Sequence, residues 1–307
     1  MTLASAEKKQ LAWITGGAVV VFLFMRFLPT GTNLNHMDFR VTAKNPIEFC
    51  DPLNPQFIPV VAVASPVAMT LTNDGPPPAP GVAARFTLSL RTASGKPIAP
   101  EDLLVTHTKL LHLLIIDPSL EDYQHVHPEP GHVRGEWTFA FTPRREGRYR
   151  VFADFTPIAT GRGLYAAADV AVGSAGLTGS VPPVAPHMTA WMLERDGYRY
   201  ELIPSSLPII AQRPADLRLT IMRLDRGVVP LEPVMGAFAH LVAFDETRSG
   251  FAHLHPMEID LEKRPEALRP ELNFKITIPQ QGRYVIWAQF NLGGRETFVP
   301  FWFNVAL

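Results

Sequence analysis

Six histidines fall into two copies of one pattern. His112, His125 and His127 lie in LHLLIIDPSLEDYQHVHP, Leu111 to Pro128, and His240, His253 and His255 lie in AHLVAFDETRSGFAHLHP, Ala239 to Pro256. Aligned without a gap, His112 falls on His240, Asp117 on Asp245, Tyr123 on Phe251, and each His-x-His-Pro on the other. Three neutral imidazoles make a ligand set for copper or zinc. A transition-metal site in either copy is therefore the chemistry these residues offer.

Whether the rings meet depends on the elements that carry them. Residues two apart in a strand share a face, so His125 and His127 point the same way, with Tyr123. His112 shares a face with Leu114 and Ile116 in the preceding strand. If the two strands are hairpin neighbours, as the short Asp117–Asp122 connection suggests, three imidazoles converge in each copy. The competing reading is structural. A histidine at a strand end bonds a backbone carbonyl, and the proline after it stops the strand by removing a ladder donor. Asp117 and Asp245 are then turn residues that bond their own backbone. No methionine cluster, cysteine ligand or His-rich tail adds to the metal reading, and His107, His132 and His187 have no partner visible in the sequence.

Other chemistry is not legible. There is no GxSxG elbow, P-loop, HExxH or glycine-rich dinucleotide turn, and no enzyme is expected. The pairs Glu101-Asp102 and Glu121-Asp122 read as solvated loop charge. With 28 basic and 29 acidic residues the net charge is -1, so no basic field for nucleic acid is present. One cysteine, Cys50, excludes an intrachain disulfide framework.

The repeat sets the domain plan, because each copy is followed by a second shared piece, EGRYRVFADF (Glu146–Phe155) and QGRYVIWAQF (Gln281–Phe290). Short alternating segments with turn signals every 8–12 residues mark β-sandwiches. The expected fold is all-β, with two tandem immunoglobulin-like or cupredoxin-like β-sandwiches on a single N-terminal transmembrane helix. The plan is a cytoplasmic N-terminus over 1–10, the anchor over 11–28, an extended Pro-rich tether over 29–60, sandwich 1 over 61–174, a linker over 175–186 and sandwich 2 over 187–307. An insertion at 261–270 is expected to hold a helical turn. The span LAWITGGAVVVFLFMRFL is long enough for a bilayer at about 1.5 Å per residue. Trp13 and Arg26 suit its two interfaces, and Ala12, Gly16 and Gly17 offer a smooth patch for packing on another membrane helix. Lys8 and Lys9 place the N-terminus in the cytoplasm of a bacterial inner membrane and the bulk of the chain in the periplasm. No small-x-small cleavage site follows the apolar run.

The series H-L-(apolar)3-D-x5-[FY]-x-H-x-H-P, then G-x-Y, resembles the YtkA-like and FixH-like exported sandwiches and domains found beside heavy-metal and copper-handling proteins. Its carriers here are His112, Leu113, Asp117, Tyr123, His125, His127, Pro128, Gly147 and Tyr149. In the second copy they are His240, Leu241, Asp245, Phe251, His253, His255, Pro256, Gly282 and Tyr284. The resemblance implies the sandwich fold and, more weakly, copper. The layout of one span, a tether and two exported β-domains is also similar to the accessory S subunits of gemmatimonad photosynthetic reaction centres. That likeness implies a non-enzymatic scaffold bracing a reaction centre, its antenna and its cytochrome, with the other subunits of the complex and the lipid bilayer as partners. Two functions are thus expected: accessory scaffold first, membrane-tethered copper or zinc protein second.

Overall fold

A computed structural model describes residues 4–26, 32, 34–40, 56–174 and 188–307. Cys50, His187 and the 175–186 linker lie outside the described residues, as does most of the 29–60 tether. The chain divides into a unit over Met1–Asn33 and a second over Leu34–Leu307. The first contains the helix α1, Ser5–Arg26, long and apolar enough to be a membrane span or a signal sequence. Ala12, Trp13, Gly16 and Gly17 are all exposed on it.

The second unit is two β-sandwiches. The first contains β1 (Val67–Asn73), β2 (Ala84–Thr92), β3 (Leu103–Leu104), β4 (Leu111–Ile116), β5 (Tyr123–Val126), β6 (Glu129–Pro130), β7 (Glu136–Phe141), β8 (Gly147–Pro157) and β9 (Leu164–Val172). The second contains β10 (Met192–Arg195), β11 (Tyr198–Pro204), β12 (Ile209–Ile210), β13 (Pro214–Arg223), β14 (Leu231–Glu232), β15 (His240–Asp245), β16 (Phe251–Leu254), β17 (Glu271–Thr277), β18 (Gly282–Leu292) and β19 (Arg295–Ala306). Each has an outer sheet, β1-β2-β7-β6 or β10-β11-β13-β17. Each also has an inner sheet, in which β8 lies between β4 and β9 with β5 beyond β4, and β18 lies between β15 and β19 with β16 beyond β15. The 261–270 insertion holds a turn closed by Lys263 N–H to the Asp260 carbonyl rather than a helical turn; Pro265 and Pro270 cannot donate within a helix.

The inner strands are apolar on both faces because each face has a different neighbour. Leu111, Leu113 and Ile115 of β4 enter the first sandwich's own core with Trp137 and Tyr149. Leu114 and Ile116, on the alternate face, join Tyr123 and Phe152 in a shared core with Val242, Phe244, Phe251, Val285 and Trp287 of the second sandwich. The two inner sheets are therefore packed on one another. Trp287 donates its indole N–H to the Leu120 carbonyl at 3.1 Å. Arg150 donates to the Arg248 carbonyl at 2.8 Å, while Arg248 donates to the Arg148 carbonyl at 2.6 Å. His112 and His240 lie on these same facing surfaces, being one strand position before Leu113 and Leu241, which point inward.

The described parts of the tether are folded onto the sandwiches. Leu34 and Phe39, around a 3₁₀ turn at His36–Phe39, enter the first core, and Lys96 pairs with Asp38 at 2.6 Å. Further on, the chain docks on the second sandwich: Ile58 and Phe251 exchange backbone hydrogen bonds, 2.7 and 3.1 Å, and Phe57 enters that core. Gly250 permits this approach, because a Cβ there would stand 1.8 Å from the Ile58 carbonyl oxygen. Where the tether is described, its apolar residues are drawn into existing cores.

Candidate metal centre

Two equivalent turns set the first histidine of each triad. Residues 106–109 and 234–237 each close with a pair of backbone hydrogen bonds between their end residues. Their central residues have positive φ, 49° at His107 and 70° at Thr108, 50° at Met235 and 77° at Gly236, as a two-residue turn of the I′ type requires. The turns leave the Thr106 and Val234 carbonyls beside His112 and His240, whose Nε2 atoms bond them at 3.0 Å in each case. A carbonyl only accepts, so Nε2 carries the proton and Nδ1 presents a lone pair.

The second histidine is oriented from the opposite sandwich. His125 Nδ1 meets Gln289 Oε1 at 2.9 Å, and His253 Nδ1 meets the Asp154 carboxylate at 3.0 Å. Gln289 Nε2 is turned to the Glu296 carboxylate at 3.2 Å, which fixes Oε1 as the atom that accepts from His125. Both rings therefore carry their proton on Nδ1, leaving Nε2 as a lone pair. Asp154 pairs with His112 across β8 and β4, and Gln289 with His240 across β18 and β15, so the two devices are the same position in the repeat.

In each copy the three rings come together. His112, His125 and His127 each offer a nitrogen, as do His240, His253 and His255, with the ligand atoms of a triad within 4.8 Å of one another. In the first triad His112 Nδ1 stands 3.2 Å from both His125 Nε2 and His127 Nε2. The tautomers make the first of these a lone pair facing a lone pair, which repels unless a cation stands between. In the second triad His240 Nδ1, His253 Nε2 and His255 Nε2 are buried with no hydrogen-bond partner. Each buried orphan costs about 1–3 kcal/mol. The three fully buried phenylalanines of the shared core, Phe152, Phe244 and Phe251, contribute roughly 5–9 kcal/mol by apolar burial, enough to hold such a site together.

Burial pushes all six histidines below their ordinary value, His127 to about 3 and His240 to about 4, with His125, His253 and His255 well below. His253 is thus a neutral imidazole donating to a carboxylate rather than half of an ion pair. Burial raises the Asp154 carboxyl, against the pull of His112 and His107. Neutral imidazoles are the form that ligates metal.

His107, without a visible partner in the sequence, stacks on His255 of the other sandwich with ring centroids 3.5 Å apart. Only the docking of two domains brings it there. Asp117 and Asp245 cap their own turns, accepting from the backbone at Ser119, Glu121 and Asp122 and at Thr247, Ser249 and Gly250. The solvated-charge reading is corrected at two positions. Asp122 is buried and accepts from Tyr149 Oη at 2.6 Å and Arg144 N at 2.7 Å, and buried Asp102 accepts from Ala99 N at 2.9 Å.

Residues 62–173 and 193–306 each match one family model, described as a domain of unknown function, DUF8832. No curated protein matches the sequence. Among solved structures, the Escherichia coli adhesin FdeC matches at 14% identity and a TM-score of 0.25, over 78% of this chain and 64% of the adhesin. The fibronectin(III)-like modules of Clostridium thermocellum CbhA match at 10% identity and a TM-score of 0.19, over 78% of this chain and 94% of theirs. Domains 4 and 5 of the S-layer protein SbsC match at 11% identity and a TM-score of 0.20, over 79% of this chain and 100% of theirs.

Proposed function

We propose that this chain, which belongs to the DUF8832 family through both of its sandwiches, is a membrane-anchored exported protein that binds copper or zinc. The observation that carries this reading is the convergence of ring nitrogens in each triad, with lone pairs fixed by Thr106, Val234, Gln289 and Asp154, and with all three nitrogens of the second triad buried without a hydrogen-bond partner. Three imidazoles and an open fourth position suit either ion. The copper association of the YtkA-like and FixH-like motif points the same way. α1 is the anchor, with Lys8 and Lys9 on the cytoplasmic side and both sandwiches in the periplasm. The test is copper and zinc content of the full chain, purified in mild detergent without chelator and then equilibrated with each metal. Stoichiometric binding is expected, reduced by His125→Ala plus His127→Ala and by His253→Ala plus His255→Ala but not by His132→Ala. A folded chain that retains neither metal overturns the reading.

A second reading is the accessory subunit of a large membrane complex, a photosynthetic reaction centre being the candidate from layout. It is favoured by the exposed Ala12, Gly16 and Gly17 on α1, which suit close packing on another helix. Mild extraction of native membranes followed by sizing tests it. Migration alone, near 34.0 kDa plus detergent, would exclude it.

A further inference from the structure

Rings of different triads lie nearly as close together as rings of the same triad. Within triads the centroids are 4.7–5.6 Å apart. Across the domain boundary His125 lies 5.4 Å from His253 and 6.3 Å from His240, and His112 lies 5.7 Å from His253. His107 closes the group, 6.2 Å from His112, 6.0 Å from His240 and stacked on His255.

Resting on the metal-binding reading above, we infer that the triads are one two-metal centre, assembled by docking of the sandwiches, that takes a small anion between its ions. The two ligand sets adjoin across the seam, with the His125 and His253 rings 5.4 Å apart, so ions bound in them are neighbours. Charge then selects what accompanies them. A ligating imidazole brings no charge; among the described residues Asp154 is the carboxylate directly bonded to a ligand ring, and Glu296 stands one amide further off behind Gln289. Lys109 faces His112 and His127 from the turn side and adds positive charge. Two divalent ions so placed repel with a charge product of about four, against about one for monovalent copper. A small anion such as hydroxide between divalent ions relieves that repulsion and fills the position each triad leaves open. The reduced, monovalent pair needs no such bridge.

Copper(II) titration of the full chain in detergent, followed by electron paramagnetic resonance, tests this. The expected result is two ions per chain. At one equivalent the signal is that of an isolated ion, and at two equivalents its integrated intensity is less than half that of two isolated ions, because a bridge couples the spins. Azide added to the loaded protein is expected to shift the copper absorption bands at about one per two ions. The variant His253→Ala plus His255→Ala is expected to bind one ion with full intensity. Saturation of the wild type at one ion, or two ions with additive signals and no response to azide, overturns the two-metal centre and leaves the metal-binding reading intact. Binding of no copper or zinc overturns both.

Discussion

Gln289 occupies in the second sandwich the position of Asp154 in the first, and each hydrogen-bonds a histidine of the opposite sandwich. The exchange is reciprocal in geometry and unequal in charge. His253 donates straight to a carboxylate, whereas His125 reaches the Glu296 carboxylate only through the Gln289 amide. Asp154→Ala is expected to weaken metal binding at the His240, His253 and His255 triad by about 10–100-fold. Asp154→Asn, which keeps an acceptor, should cost less. Competition with a chelator of known affinity measures both. Equal affinities for wild type and Asp154→Ala would show that the cross-domain bond does not act on the metal.

Metal-free protein should lose stability in mild acid. The histidines are held neutral by burial in the folded chain, so the unfolded chain binds more protons below the ordinary value of 6.5. Stability therefore rises with pH in this range. It is fully present above about pH 6.5 and is lost as pH falls toward the folded values, about 4 for His240 and about 3 for His127. Thermal unfolding between pH 7.5 and 4.5 checks this, and a flat Tm across that range would contradict it.

Tyr149→Phe should destabilise by about 1–3 kcal/mol, because it removes a donor from the buried Asp122 carboxylate. Tyr284→Phe should cost under about 1 kcal/mol, since its hydroxyl donates at 3.0 Å to the carbonyl of Gln280, an exposed residue. Denaturant melts of the two variants decide the order. These residues explain the G-x-Y signature as a tyrosine corner, a hydroxyl bonding back to backbone four residues upstream.

Gly250→Ala should displace the segment around Ile58 from the β16 edge, since the new methyl would overlap the Ile58 carbonyl. A loss of about 2 kcal/mol or more is expected, with faster proteolysis near residues 56–61. Unchanged unfolding and cleavage would mean that the strap is dispensable.

The sandwich fold was legible in the alternation of residues and in the turn signals. The pattern sets strands over Val67–Asn73 and Leu164–Val172, which are the bounds of β1 and β9; most inner strands differ by a residue or two, but β15 begins at His240, four residues after the Gly236 start that the pattern sets. Each histidine triad was legible as a hairpin property, because period-two alternation decides which face a ring takes. Its partner was not. Nothing local distinguishes a His112, Leu114, Ile116 face that meets water from one that meets a second domain, although a strand apolar on both faces in a protein with two copies carried the hint. His107 and the Asp154 and Gln289 pair were out of reach for the same reason, since their contacts span 99 to 164 residues.

The strap has a mechanical consequence. Between Leu34 and Val60 the chain enters the first core at Leu34 and Phe39 and the second at Phe57, before β1 begins. Tension from the N-terminal side thus passes into both sandwiches before it reaches either one's own first strand. A pull applied at Leu34 is shared between the two sandwiches, and the histidines at their seam are not its route.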